Sequence, residues 1–369
     1  MYSFCVFEES RGYASGEATE GPTQSGGDVE ARSVPPPSPP GGARRGVSRL
    51  LSLTEIVPGL ALVVLVLFVG LVHSRFFSSA AIDSNVRAAS FVAIIAYGMV
   101  FLLAMGEIDL SVGGTYGVCF FICARLGNNG DVNMYLAALI AIAAGVGLGL
   151  ANGLLVNLFR APVIIVTLGT YSLYAGLVFV ISQGQTVGQA LPLTSSFFTK
   201  VGGNWAGLPV AGWVAIVLAV VLTIVLMRSR LGGMIRAIGS NRSAATFSGI
   251  PAGRLRVYAL MLTGGLAGLS GVLTLAYAEG GDSSIGTDFE LQVIAAAIIG
   301  GTAVTGGSGS VPGGLIGALI VATINSGLVF FNVNPLWSDV VTGVVILIAV
   351  GTAALLAHRR AERLARFDA

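Results

Sequence analysis

The chain has 369 residues, of which 54% are hydrophobic and only 10% charged, with 20 basic side chains against 18 acidic ones. Soluble domains carry about 25% charged residues, so this composition excludes an ordinary soluble enzyme, and the near-neutral balance offers no basic field for nucleic acid. A mean hydropathy of +0.85 together with 52 glycines points to an all-α, polytopic integral membrane protein whose helices pack closely.

Residues 1–52 form a compositionally separate tail. The run Ser33-Val34-Pro35-Pro36-Pro37-Ser38-Pro39-Pro40-Gly41-Gly42 can build neither helix nor core, so the segment reads as a disordered, Pro/Gly-rich cytoplasmic tail. It is not a signal peptide, because the first apolar run begins only near Val57 and is long enough to span. A span needs about 20 apolar residues. On that criterion the candidates are 56–73, 88–106, 111–126, 134–158, 162–182, 210–227, 257–277, 291–305, 311–331 and 340–357, about ten in all. The third and eighth are short and Gly-rich, and each is expected to be broken or re-entrant. The transmembrane domain is thus 53–358, interrupted by a polar segment at 228–256 and followed by a basic tail at 359–369.

Charge sets the expected orientation. With an even number of spans both termini share a side. That side holds Arg44, Arg45, Arg49, Arg160, the cluster Arg228 to Arg256, and Arg359 to Arg366. The other side holds Arg75, Arg87, Lys200, the acidic run Glu279, Asp282, Asp288 and Glu290, and the boundary tryptophans Trp205, Trp213 and Trp337. Both termini are therefore expected in the cytoplasm. Gly145, Gly149 and Gly153 repeat at a four-residue spacing on the fourth span, as do Gly264 with Gly268 and Gly313 with Gly317. Such spacing suits close packing inside one protomer and also a dimer seam, the first being the commoner use. A weak echo between Leu150–Val156 and Thr323–Val329, five spans apart, is what an inverted repeat would leave, although chance similarity between Gly/Ala/Leu-rich helices gives the same pattern.

Two polar constellations stand out. The first is Gly106-Glu107-Ile108-Asp109-Leu110-Ser111, two carboxylates between apolar spans. Charge inside a bilayer is costly, so these residues lie at an interface, line a watered cavity or cap a helix. Asp109 is placed to cap the third span, with direct contact to a polar solute as the alternative. The second runs from Arg228 to Pro251. Asn241 is expected to cap a short helix that Gly249 ends and Pro251 forbids from continuing, with Ala244 and Ala245 forming a small flat surface. That shape suits docking of another protein, while anionic lipid would use the same arginines.

Other chemistries fit poorly. A Walker A loop needs a lysine after its glycines, and the single lysine, Lys200, stands in Phe197-Phe198-Thr199-Lys200-Val201. Ser308 and Ser310 among glycines invite a hydrolase reading, but the two histidines, His73 and His358, fall at the ends of other spans. Cys119 and Cys123 share a helix face without further ligands, so they make no zinc site, and no metal or catalytic residue is assigned.

Glu107-Ile108-Asp109-Leu110-Ser111-Val112-Gly113 resembles a signature of the permease subunits of bacterial ABC importers for ribose, xylose and related simple sugars. Arg160 to Thr170, Arg236 to Ile250, and Ile298 to Gly313 resemble further segments of that family, in the family's order. The resemblance implies about ten helices per protomer, a dimer in the bacterial plasma membrane and no cofactor on this chain. ATP and Mg would be used by a separate cytoplasmic ATPase, and an extracytoplasmic sugar-binding protein would deliver the substrate. It also implies that Gly239, Asn241, Ala244, Ala245, Gly249 and Ile250 belong to the coupling surface. Arg242-Ser243 departs from the family pattern, where acidic residues often follow the Asn. Uncharged polar groups suit a pathway for hydroxylated solutes, and Ser111, Asn152, Thr167 and Asn325, with Glu107 and Asp109, are the expected pathway or gate residues. A gradient-driven secondary transporter is the alternative, with Glu107 and Asp109 as its only plausible relay pair.

Overall fold

The computed structural model describes residues 53–351 except 129–131, 189–190, 192–193, 335–336, 338–339, 345–346 and 349–350. The expected disordered tail, the basic tail and much of the last expected span lie outside these residues. In chain order the helices are α1 (Leu53–Val72), α2 (Ser79–Ala104), α3 (Val112–Asn128), α4 (Met134–Phe159) and α5 (Val163–Ser182). There follow the short α6 (Ser196–Val201), α7 (Val210–Arg228), α8 (Arg230–Ser240), α9 (Arg242–Phe247), α10 (Ala252–Ala278), α11 (Phe289–Ile299) and α12 (Val311–Phe330). A two-residue hairpin, Asn204–Trp205 against Leu208–Pro209, precedes α7.

Among the described residues seven helices are long and apolar enough to cross a membrane: α1, α2, α4, α5, α7, α10 and α12. The two stretches expected to be broken become α3 and α11, of 17 and 11 residues. The chain is thus a mostly helical, multi-pass membrane protein. Residues 340–344 of the tenth expected stretch are helical as well.

Two expected boundaries need correction. The second helix begins at Ser79, nine residues ahead of the expected 88, with Ser78 accepting from the Ala81 N–H. Hydropathy missed this turn because it holds Asp83 and Arg87. The two neutralise each other across one helical turn at 2.7 Å. Arg87 also donates to the Gly202 carbonyl at 2.6 Å and to Asn204, and it lies 4.4 Å from the Tyr277 ring centre. The eighth stretch was expected to reach 305, but its helix ends at Ile299, where Gly300 closes the last turn and Gly301 adopts φ of 90°.

The layout follows from which faces carry small residues. α2 and α10 are central, with 89% and 72% of their apolar windows buried, against 22–33% for α1, α4, α5 and α7. Lipid is as apolar as leucine, so the outer helices lose nothing by exposing Ile and Val there. Gly145, Gly149 and Gly153 line the α4 face that meets α10. A methyl group on Gly145 would stand 2.4 Å from the Gly264 carbonyl oxygen, and one on Gly149 2.2 Å from that of Leu260. Gly317 on α12 meets the Ala296 carbonyl of α11 in the same way. These glycine rows serve packing inside the protomer.

Candidate functional site

The segment between α2 and α3 is not helical, yet it is buried: Asp109 and Ser111 are 1% and 0% exposed. Leu110 donates its N–H to Thr167 Oγ1 on α5 at 3.1 Å, and Gly114 lies against Tyr171 and Tyr174. α3 therefore starts about two turns deeper than α5 does. Buried backbone away from a helix needs partners for its polar groups, and side chains supply several here. Ser111 donates both its N–H and its hydroxyl to Asp109 Oδ1, at 2.8 and 2.7 Å. Asn152 on α4 donates to Ser111 Oγ at 2.7 Å, and the Tyr174 hydroxyl on α5 donates to Asn152 Oδ1 at 2.9 Å. Asp109 is thus not the cap residue of α3, as expected, but the acceptor of a local turn formed two residues ahead of the helix. Leu110 and Ser111 stand between it and Val112.

Glu107, at the arginine-rich end, is 7% exposed and held by two guanidinium groups. Arg256 of α10 donates Nε to both carboxylate oxygens at 2.8 and 3.0 Å, and Arg242 of α9 donates to Oε1 at 3.1 Å. Asn157 accepts from Arg256 at 3.2 Å. A cleft of about 540 Å3 opens beside them, bordered also by Arg160 and Pro162. Arg242, which departs from the family pattern, therefore has a partner inside its own chain.

α9 lies just beyond the bundle. Asn241 Oδ1 accepts from the Ala244 N–H at 2.9 Å, and Gly249 takes a φ of 80° beyond the helix end. The expected flat surface of Ala244 with Ala245 needs correction. Ala244 is exposed, but Ala245 is buried at 5% in the main hydrophobic core, with Ile250 packed against that core and its N–H bonded to the Ala245 carbonyl at 3.1 Å. The large exposed group is Phe247, at 92%. Gly239 is a packing glycine: a methyl there would stand 1.9 Å from the Ala104 carbonyl oxygen and 2.4 Å from the Gly307 nitrogen. The Gly300–Ser310 segment thus closes under α8, with the Gly307 N–H bonded to the Ala104 carbonyl at 3.0 Å.

At the opposite end the chain leaves α10 and descends. Gly281 pairs with Val187 and lies beside Phe120, Ile285 lies against Gly117, and Gly286 lies against Gly113. The Ser284 N–H and hydroxyl hold the Asp282 carboxyl below the usual carboxylate range. α11 then starts at the level of α3's first turns, with Phe289 stacked on Tyr116 at 4.7 Å. Glu290, expected in the outer acidic loop, is instead 6% exposed and sits at the α3 N-terminus. A loop that dips inward carries no hydropathy signal, so sequence reasoning missed it.

Of the six expected pathway residues, Asp109, Ser111, Asn152 and Thr167 come together in the α3–α4–α5 network, and Glu107 joins the arginines next to it. Asn325 does not join them. It lies on α12, which packs chiefly against α1, α2, α7 and α11. Among the described residues no group of three or more His, Cys, Asp or Glu could hold a metal, and Cys119 and Cys123 are buried in the core.

Residues 81–350 match the family model described as the permease component of branched-chain amino acid transport systems. The ribose import permease RbsC of Bacillus subtilis is 33% identical over 298 residues, covering 81% of this chain and 92% of that protein. RbsC of Haemophilus influenzae is 30% identical over 292 residues, 79% of this chain and 90% of that protein. The autoinducer 2 import permease LsrC of Salmonella typhi is 30% identical over 288 residues, 78% and 82% respectively. No solved structure matches the chain. With the family model covering most of the bundle, from the start of α2 to beyond α12, the chain belongs to this family of import-system permease components.

Proposed function

We propose that the chain is the transmembrane permease subunit of an ATP-driven importer for a simple sugar, in the class of ribose, xylose or a related monosaccharide. It works as a dimer in the bacterial plasma membrane with both termini in the cytoplasm. The arginine-rich end is then cytoplasmic, and a separate ATPase that binds ATP and Mg docks there on α9. An extracytoplasmic binding protein delivers the sugar at the opposite end. Membrane lipid surrounds the exposed apolar faces, and this chain itself binds no cofactor.

One observation carries the reading. The short, capped α9 presents Phe247 to solvent, while its first residue, Arg242, is tied through Glu107 to the buried segment that leads into α3. A push on α9 therefore reaches Glu107 directly, and the Asp109–Ser111–Asn152–Tyr174 network begins two residues further on. Ten spans in two inverted halves fit the same picture. α3 and α11 are both short, each follows a non-helical segment, the two segments come in from opposite ends, and they stand five places apart in the order of spans. The paired contacts α4 with α10 and α2 with α12 are equivalent under such a repeat.

The test is Gly249→Arg in the full assembly of permease, ATPase and binding protein. The substitution adds a bulky side chain at a backbone conformation that favours glycine. The expected result is normal membrane insertion with ATP hydrolysis no longer linked to sugar uptake. Normal uptake would remove the docking role from this segment.

A further inference from the structure

Four carboxylates are buried among the described residues: Glu55, whose Oε1 accepts from Ser310 and whose Oε2 has no partner, and Glu107, Asp109 and Glu290 near the starts of α3 and α11. Glu107 has two arginines, and Asp109 has the Ser111 N–H and hydroxyl. Glu290 differs. It is 6% exposed, and its Oε2 has no hydrogen-bond partner among the described residues. That oxygen points at the first turn of α3, where a methyl on Gly113 would come within 2.3 Å of it. Glu290 also stands in the first turn of α11, so the starts of two short helices converge on one carboxylate. Helix N-termini favour negative charge, which explains why a carboxylate is tolerated there. It does not explain an unpaired oxygen, since an unmet buried acceptor is costly and is kept mainly where it has a function.

We propose that Glu290 is a substrate-contacting residue that accepts hydrogen bonds from the hydroxyls of the transported solute as it passes the meeting point of α3 and α11. This rests on the sugar-importer reading above and adds the contact residue to it. A carboxylate is acceptor-only and can serve two donors at once, which matches a pair of neighbouring hydroxyls. Such charge-assisted bonds are about twice as strong as neutral ones. Tyr171 of α5 reaches the carboxylate with its hydroxyl, which leaves Oε2 as the oxygen without a partner. Gly113 and Gly286 pack directly on each other beside the carboxylate: a methyl on Gly113 would stand 2.4 Å from the Gly286 carbonyl oxygen, and one on Gly286 2.3 Å from that of Gly113. The adjoining crevice between Tyr171, Ser283, Gly286 and Thr287 holds about 20 Å3, room for one water and not for a sugar. The contact therefore forms when α5 and the 283–287 segment separate during transport. Ser111, Asn152 and Thr167, by contrast, spend their hydrogen bonds on one another and on Leu110, Val163 and Tyr174.

The experiment uses the complete assembly in proteoliposomes with the binding protein saturated, so that its own selectivity drops out. Initial uptake of D-ribose and D-xylose is compared with that of their 2-deoxy and 3-deoxy analogues, for the wild type and for Glu290→Gln. For the transported sugar, the wild type is expected to carry one deoxy analogue about tenfold more slowly than the parent, the ratio expected for one lost charge-assisted hydrogen bond. Glu290→Gln is expected to slow the parent by a similar factor and to slow that analogue little further. Because the analogue series runs on the unmodified protein, poor folding of the variant cannot mimic the result. Uptake of the parent by Glu290→Gln within twofold of wild type, or an equal loss on every sugar, would overturn the contact while leaving the importer reading in place. A wild-type assembly that carries none of these sugars would overturn both.

Discussion

α3 and α11 solve the same problem in different ways. Each is a short helix that starts inside the bundle and is reached through a non-helical segment, and each has a carboxylate near its first turn. At α3 the side chains of that approach are linked to one another: Asp109 with Ser111, Ser111 with Asn152, Asn152 with Tyr174, and the Leu110 N–H with Thr167. At α11 the Glu290 carboxylate retains an oxygen without a partner. A satisfied network is rigid and makes a good lever, whereas an unsatisfied group is held ready for something that arrives. The first suits transmission from α9, and the second suits the solute.

Removing groups from the two starts should therefore have opposite signatures. The largest loss of stability is expected for Asp109→Ala, which leaves the buried Ser111 N–H and hydroxyl without an acceptor. At 1–3 kcal/mol for each unmet group, a cost of about 3 kcal/mol is expected. Thermal unfolding in detergent would show it, and Asp109→Asn, which keeps an acceptor oxygen, should recover most of the loss. Asn152→Ala comes next. It removes the donor to Ser111 and the acceptor for Tyr174, although Tyr174 retains the Leu148 carbonyl at 3.2 Å. The expected cost is about 2 kcal/mol in the same measurement. The smallest effect is expected for Glu290→Gln, within about 0.5 kcal/mol of wild type, because no hydrogen bond to Oε2 is lost. A Glu290 variant as unstable as Asp109→Ala would erase the contrast between the two helix starts.

Much of the bundle was legible from residue types. Glycines every fourth residue on α4 marked its contact with α10, since only hydrogen at those positions lets the Gly264 and Leu260 carbonyls approach. Asn241 was recognisable as a cap, because a short polar side chain ahead of a helical run serves the orphan N–H groups there. The shortness of α3 showed in its own glycines, and that of α11 in Gly300 and Gly301, which end it. Other features depended on three-dimensional placement. Ala245 packs into the core, where the chain returning at Ile250, five residues on, also packs, and the exposed group there is Phe247 in place of a small alanine surface. Glu290 follows Glu279, Asp282 and Asp288 in a run that reads as an outer loop. Its true position depends on how far residues 281–288 descend along α3, which composition does not encode. The partners of Glu107, 135 and 149 residues away in sequence, were equally out of reach.

The central claim is that this permease is moved by an ATPase acting on α9 and not by an ion gradient. The most direct measurement is uptake of labelled monosaccharide into proteoliposomes holding the permease, its ATPase and its binding protein, with ATP supplied on the ATPase side and a proton uncoupler present. The expected result is uptake that requires ATP and both partner proteins and that survives the uncoupler. Uptake by the permease alone, driven by an imposed proton gradient and abolished by the uncoupler, would contradict it.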